Sequence, residues 1–181
     1  MLHQKLKEAA LTAGALKAEV ITREQFVLNE EFRKICETGQ CGGYDRCWVC
    51  PPHLAPVEEL MEEARQYPFA LWYQSVAPLE DSFDIEGMFA AGEAHAWLTQ
   101  RVREAVLPLL EEKSLHLGCG GCHLCPTCAK RTGEPCRMPE RALPSLEGYG
   151  FDVYQTTKST SLRYINGADT VTYFGAVLFS K

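Results

Sequence analysis

The stretch FALWYQSV, Phe69–Val76, decides the architecture. Phe69, Leu71 and Tyr73 face one way, and Ala70, Trp72 and Val76 face the other. Apolar side chains on both faces mark a strand covered on both sides, inside a sheet and not at its edge. The neighbouring sequence supplies the cover. Upstream, Pro56 opens a helix in which Val57, Leu60, Met61 and Ala64 fall at i, i+3, i+4 and i+7. Downstream, the acidic connector Asp81–Glu86 leads into a long amphipathic helix over Glu86–Leu110, marked by Ala91, Ala94, Leu98, Val102, Ala105 and Leu109.

Further out, Leu2, Leu6, Ala9, Ala10 and Ala13 have helical spacing, and Gly14 stops that helix. Ala18–Thr22 is a short β-rich run, and Asn29–Ile35 a short helix. Lys113–Gly118 reads as a brief strand, Pro139–Glu147 as a short helix and Phe151–Gln155 as a strand. Asn166-Gly167 is a turn before Val171–Phe179, a last strand apolar on both faces and therefore internal. The expected fold is a single α+β domain over residues 1–181. It has a mixed β-sheet, flanking helices and two cysteine-rich loops, at 36–52 and 118–139.

The 181 residues are 46% hydrophobic and 23% charged, an ordinary globular balance that excludes a disordered chain. Eighteen basic against 24 acidic residues give a net charge of −6. Without a Lys/Arg run, that argues against a nucleic acid or anionic membrane as partner. No apolar stretch approaches the ~20 residues that span a bilayer, and Met1–Glu8 lacks a signal-peptide core, so the expected location is cytoplasmic.

Nine cysteines, an odd number in a chain without an export signal, point to metal ligation and not to a disulfide framework. Cys36, Cys41, Cys47 and Cys50 form a C-x4-C-x5-C-x2-C group followed by Pro51 and Pro52. Cys119, Cys122, Cys125 and Cys128 follow at every third position, with Cys136 eight residues on. A cubane iron–sulfur cluster takes four thiolates, one per iron. A loop with a cysteine at every third residue aims successive sulfurs at successive irons, and a distal cysteine closes the set. Cys122, Cys125, Cys128 and Cys136 fit that plan, and Cys36, Cys41, Cys47 and Cys50 make a second set. Zinc is the alternative: Cys47/Cys50 with Cys125/Cys128 would form two C-x-x-C hooks, but the other five cysteines would then have no role.

The glycines at 42, 43, 118, 120 and 121 permit close backbone approach to either metal. Tyr44 and Trp48 read as local core beside the cysteines. Arg46 and Arg137 place positive charge near thiolates, whereas Lys130 and Arg131 read as solvated surface charge. His53 and His123 lie near the cysteines but are not needed as ligands. His95 belongs to the long helix as a packed or solvated residue. No G-x-G-x-x-G, P-loop, G-x-S-x-G or H-E-x-x-H pattern is present, so no catalytic residue is assigned.

At these cysteines the sequence resembles the DUF2284 family of predicted metal-binding proteins. The likeness rests on CETGQCGGYDRCWVCPP, Cys36–Pro52, and on CHLCPTCAKRTGEPCRMPERALPSLEGYGFDV, Cys122–Val153. It implies metal binding, with iron–sulfur ligation the usual suspicion, on Cys36, Cys41, Cys47, Cys50 and on Cys122, Cys125, Cys128, Cys136. Cys119 stands as a local addition.

The sequence therefore leads to a small protein with two 4Fe-4S clusters that passes electrons to or from a redox partner protein. An iron–sulfur enzyme with an open iron for substrate, and a zinc-stabilised interaction protein, are the alternatives.

Overall fold

The computed structural model describes residues 1–181. The chain runs α1 (Leu2–Thr12), β1 (Lys17–Thr22), α2 (Glu31–Glu37), α3 (Val57–Arg65), β2 (Phe69–Pro78), α4 (Ile85–Val106), β3 (Leu115–Leu117), α5 (Val153–Lys158) and β4 (Thr170–Phe179). The sheet order is β1-β2-β4-β3. β2 and β4 pair along their whole length, from Phe69 opposite Phe179 to Pro78 opposite Thr170.

Both faces of that central pair are covered, as the alternation in Phe69–Val76 requires. Leu71, Tyr73, Val177 and Phe179 pack under Leu6 and Ala10 of α1 and Leu98, Val102 and Val106 of α4. Ala70, Trp72, Phe174 and Ala176 pack on the other face against Leu60 and Ala64 of α3, with Leu146, Tyr149 and Phe151. The result is three layers, with the sheet in the middle. No helix is long and apolar enough to cross a membrane.

Gly175 shows how closely the sheet packs. It stands opposite Tyr73 in the β2–β4 register, and a Cβ there would collide with the Tyr73 ring and hydroxyl. The absent side chain is what lets that ring lie across β4 beneath α4.

Three local expectations change. The expected mixed sheet pairs antiparallel throughout. β2 and β3 do run in the same direction, linked by α4, but β4 lies between them, so no parallel pair forms inside the sheet. The one parallel pairing is the isolated bridge between Gly118 and Ser145. The helix expected over Pro139–Glu147 is replaced by turns and a 3-10 turn at Glu147–Tyr149. Pro144 brings no N–H, its carbonyl accepts from Gly118 N, and Leu146 N donates to Gly118 O, so the backbone groups are spent on the end of β3. The strand expected at Phe151–Gln155 is α5: only Phe151 makes a bridge, to Leu28, and Asp152 then caps a helix by accepting from Gln155 N at 2.9 Å. A short apolar run carries either structure, and here the Asp cap decides it.

Candidate metal centre

The first cysteine loop starts inside α2, whose last turn carries Cys36. Arg33, one turn earlier, is only 4% exposed. Its guanidinium donates to Gly148 O at 3.0 Å, Leu54 O at 3.3 Å and Ala55 O at 3.2 Å. One buried side chain thus holds the Cys36 helix, the exit of the first loop and the Glu147–Tyr149 turn together. Within the loop, Asp45 adopts φ 54°, and Cys50 N donates to Cys47 O at 3.1 Å, so the C-x-x-C segment is a closed turn.

This loop sets its four sulfurs in two pairs. The Cys36 and Cys41 thiols are neighbours, and Cys50 neighbours Cys47 while also lying within the electrostatic reach of Cys41 and Cys36. Gly43 sits between two of them: a Cβ there would stand 3.2 Å from Cys50 Sγ and 3.8 Å from Cys41 Sγ. Burial and the Cys41 thiol push Cys36 up to about 11.

The second loop leaves the end of β3 and returns beside it. Gly118 N donates to Pro144 O, and Leu146 N to Gly118 O, both at 2.9 Å, which closes the neck. Inside it, Arg137 donates to Thr127 O at 3.0 Å, tying the residue after Cys136 to the residue before Cys128. Cys122 and Cys128 lie within electrostatic reach of each other.

The two loops then meet. The indole N–H of Trp48 donates to Glu134 O at 2.9 Å. Lys130 Nζ pairs with Asp45 Oδ1 at 2.9 Å and lies 5.4 Å from the centre of the Trp48 ring. His53 Nε2 meets the same carboxylate oxygen at 2.9 Å. Lys130 and His53 hold the Asp45 carboxyl below its usual range. Lys130 is therefore not the solvated charge expected: its side chain is 17% exposed and committed to the other loop. Tyr44 is exposed and not local core, and the half-buried Trp48 serves as a tether.

The loops also meet at their sulfurs. Cys47 Sγ faces the thiols of Cys122 and Cys50 and the backbone N–H groups of Val49 and Cys122. These donors favour negative charge on Cys47, and the hydrogen bond each neighbour gives to Cys47 pushes the Cys50 and Cys122 thiols up. Glu147 makes a second link. It lies within electrostatic reach of both Cys36 and Cys119, and burial raises its own carboxyl. Sequence reading did not single out Glu147; its signal was the Pro-Ser-Leu-Glu run at 144–147.

Between the loops, α4 and β4 lies a cavity of about 460 Å³. Its wall includes Cys41 and Cys47 from the first loop and Cys119, Cys122, Cys125 and Cys128 from the second. Arg46 and Arg131 stand in the same wall, and no carboxylate does. Cys36, Cys50 and Cys136 lie outside it. All nine cysteines are free thiols. No three His, Cys, Asp or Glu side chains converge on one point as ligands of a single ion would.

This chain matches the family described as "Predicted metal-binding protein (DUF2284)" over residues 19–179. The chain belongs to the DUF2284 family. No curated protein and no solved structure matches it. The DUF2284 match begins within β1 and ends at the last residue of β4, so it takes in β2, β3, β4, most of β1 and both cysteine loops. Metal binding is what the DUF2284 description and the thiol-rich loops share. The donor set suits a soft metal, because reduced thiols at short spacing are the ligands of iron–sulfur clusters and zinc. The side-chain-free face of Gly43 leaves room beside two of those sulfurs.

Proposed function

We propose that the protein binds two 4Fe-4S clusters and uses them to pass electrons to or from a redox partner protein. The observation that carries this reading is the supply of free thiols, nine in two loops that face each other across one cavity. One structural zinc ion takes four donors and would leave five of these thiols without a role, whereas two cubanes take eight, one thiolate per iron. Cys36, Cys41, Cys47 and Cys50 would hold one cluster and Cys122, Cys125, Cys128 and Cys136 the other. The clusters would supply one-electron chemistry. The chain supplies the rest: Arg46 and Arg131 offset the negative charge of thiolate-ligated iron, and Trp48, Lys130 and Asp45 hold the loops closed around it.

Anaerobic purification with iron, sulfide and zinc analysis tests the reading. About eight iron and about eight acid-labile sulfide per chain are expected. About one zinc without sulfide would overturn it. The cavity favours a second reading, in which a small molecule reaches the metal directly and the protein is an iron–sulfur enzyme. Cyanide added to the reduced protein separates the two, because only an iron with an open position gives a cyanide-dependent change in the spin-resonance spectrum.

A further inference from the structure

We propose that the two cysteine groups build one composite redox centre and not two independent ones, with the boundary between its halves at Cys47 and Cys122. The inference rests on the iron–sulfur reading above and adds how the two sites are related.

Three separate observations place the groups against each other. First, Cys47 belongs to the first group by sequence, yet it lines one cavity with Cys122 and its sulfur neighbours the Cys122 thiol. Second, Glu147 stands within reach of Cys36 in the first loop and of Cys119 at the start of the second, so the loops share a carboxylate neighbour. Third, the loops are tethered outside the sulfurs by Trp48 to Glu134 and by Asp45 to Lys130, each at 2.9 Å. The tethers cross between sequence segments 86 residues apart in the case of Trp48 and Glu134. Nothing in two self-contained sites would require them.

The consequence is electronic. Magnetic coupling between two paramagnetic centres falls steeply with distance, and electron exchange falls more steeply still. Centres whose ligand residues are neighbours exchange electrons rapidly and are seen by spin resonance as an interacting pair. The cavity wall contains sulfurs from both groups, so a small molecule seated there meets both halves at once. A pair of one-electron centres opening on one cavity suits a partner or substrate that accepts two electrons.

The test is spin resonance on the fully reduced, metal-loaded protein. Wild type is expected to show a broadened, split signal that saturates only at high microwave power. The Cys36→Ser/Cys41→Ser variant should lose about half the iron, as one of two four-iron sites, and give a single sharp signal that saturates easily. In the Asp45→Asn/Trp48→Phe variant the splitting should narrow in the chains that carry both clusters, because the tethers and not the ligands are changed. Two sharp signals in wild type, each saturating like the single-site variant, would overturn the composite centre while leaving the cluster reading intact. Absence of iron and sulfide would instead overturn the cluster reading itself. If the cysteine variant fails to fold, the power dependence of the wild-type signal decides the matter alone.

Discussion

The guanidinium of Arg33 donates to the carbonyl of Gly148 over 3.0 Å, in an interior where Arg33 is 4% exposed. The contact joins the helix that carries Cys36 to the turn that carries Glu147. Further bonds to Leu54 O and Ala55 O make Arg33 the hinge pin of the first cysteine loop. Glu37, 4.0 Å from Nε, is its one carboxylate partner. The charge is therefore satisfied chiefly by backbone carbonyls, which a planar fork matches and an ammonium does not.

Arg33→Lys should accordingly destabilise the protein by about 2–3 kcal/mol, since a compact ammonium leaves buried carbonyls without donors. Metal loading should fall with it, because α2 no longer holds Cys36 in place. Urea unfolding followed by tryptophan fluorescence, with iron measured on the same sample, checks both. A change under about 0.5 kcal/mol, typical of a surface substitution, would show that the three carbonyl bonds hold nothing.

The frame of this protein was legible because it is written in periodicity. Phe69–Val76 and Val171–Phe179 show apolar residues on both faces, and they are the two central strands. The 139–158 region was misread because its determinants are local hydrogen bonds: Pro144 and Leu146 committed to Gly118, and Asp152 to Gln155. The two cysteine groups could be found by spacing, but not their meeting. That depends on Asp45 finding Lys130 and Trp48 finding Glu134 across separate loops, contacts for which a single sequence carries no pattern.

Stability should fall as the pH drops below about 6.5, the ordinary histidine value. His95 and His116 are 2% and 7% exposed. Burial lowers each to about 4, with Arg103 adding to the effect at His116. One ring nitrogen of each accepts or donates to a serine, Ser75 or Ser114, and the other has no partner. The unfolded chain takes up protons that the folded one refuses, so the contribution is complete above about 6.5 and is lost between there and about 4. At pH 5 the loss is about 2 kcal/mol per histidine. Urea midpoints between pH 7.5 and 5 measure it, and the steeper fall of wild type than of His116→Gln isolates one residue. Parallel curves for the two proteins would remove His116 from the account.

Cys119→Ser should keep the iron, whereas serine at Cys122, Cys125, Cys128 or Cys136 should lose about half, as one of two four-iron sites. Cys119 lies three residues before the first of these, near Glu147 and the backbone of Phe174, which belong to the fold's frame and not to the loop. Burial raises its thiol well above the ordinary range, so it is held protonated in the metal-free protein. Iron counts on the five single variants decide the ligand set. A Cys119 variant with half the iron beside a fully loaded Cys128 variant would exchange their roles.

Gly43→Ala should cost the metal-free protein only about 1 kcal/mol and yet reduce iron loading several-fold. Gly43 is not among the residues with positive φ, so a methyl group brings no backbone strain there. What it brings is bulk: the new Cβ would stand 3.2 Å from Cys50 Sγ and 3.8 Å from Cys41 Sγ, on the side where those sulfurs need room for metal. A contact of 3.2 Å is closed enough that Cys50 must shift, and Cys50 is buried beside Cys47, so it has little freedom to do so. The urea midpoint without metal should move by about 1 kcal/mol, the low end of the cost of overpacking. Iron per chain, measured after reconstitution with limiting ferrous iron and sulfide, should fall at the first group alone. Full loading of Gly43→Ala would show that metal does not approach the sulfurs from this side, and the position of the first centre in the loop would have to be redrawn.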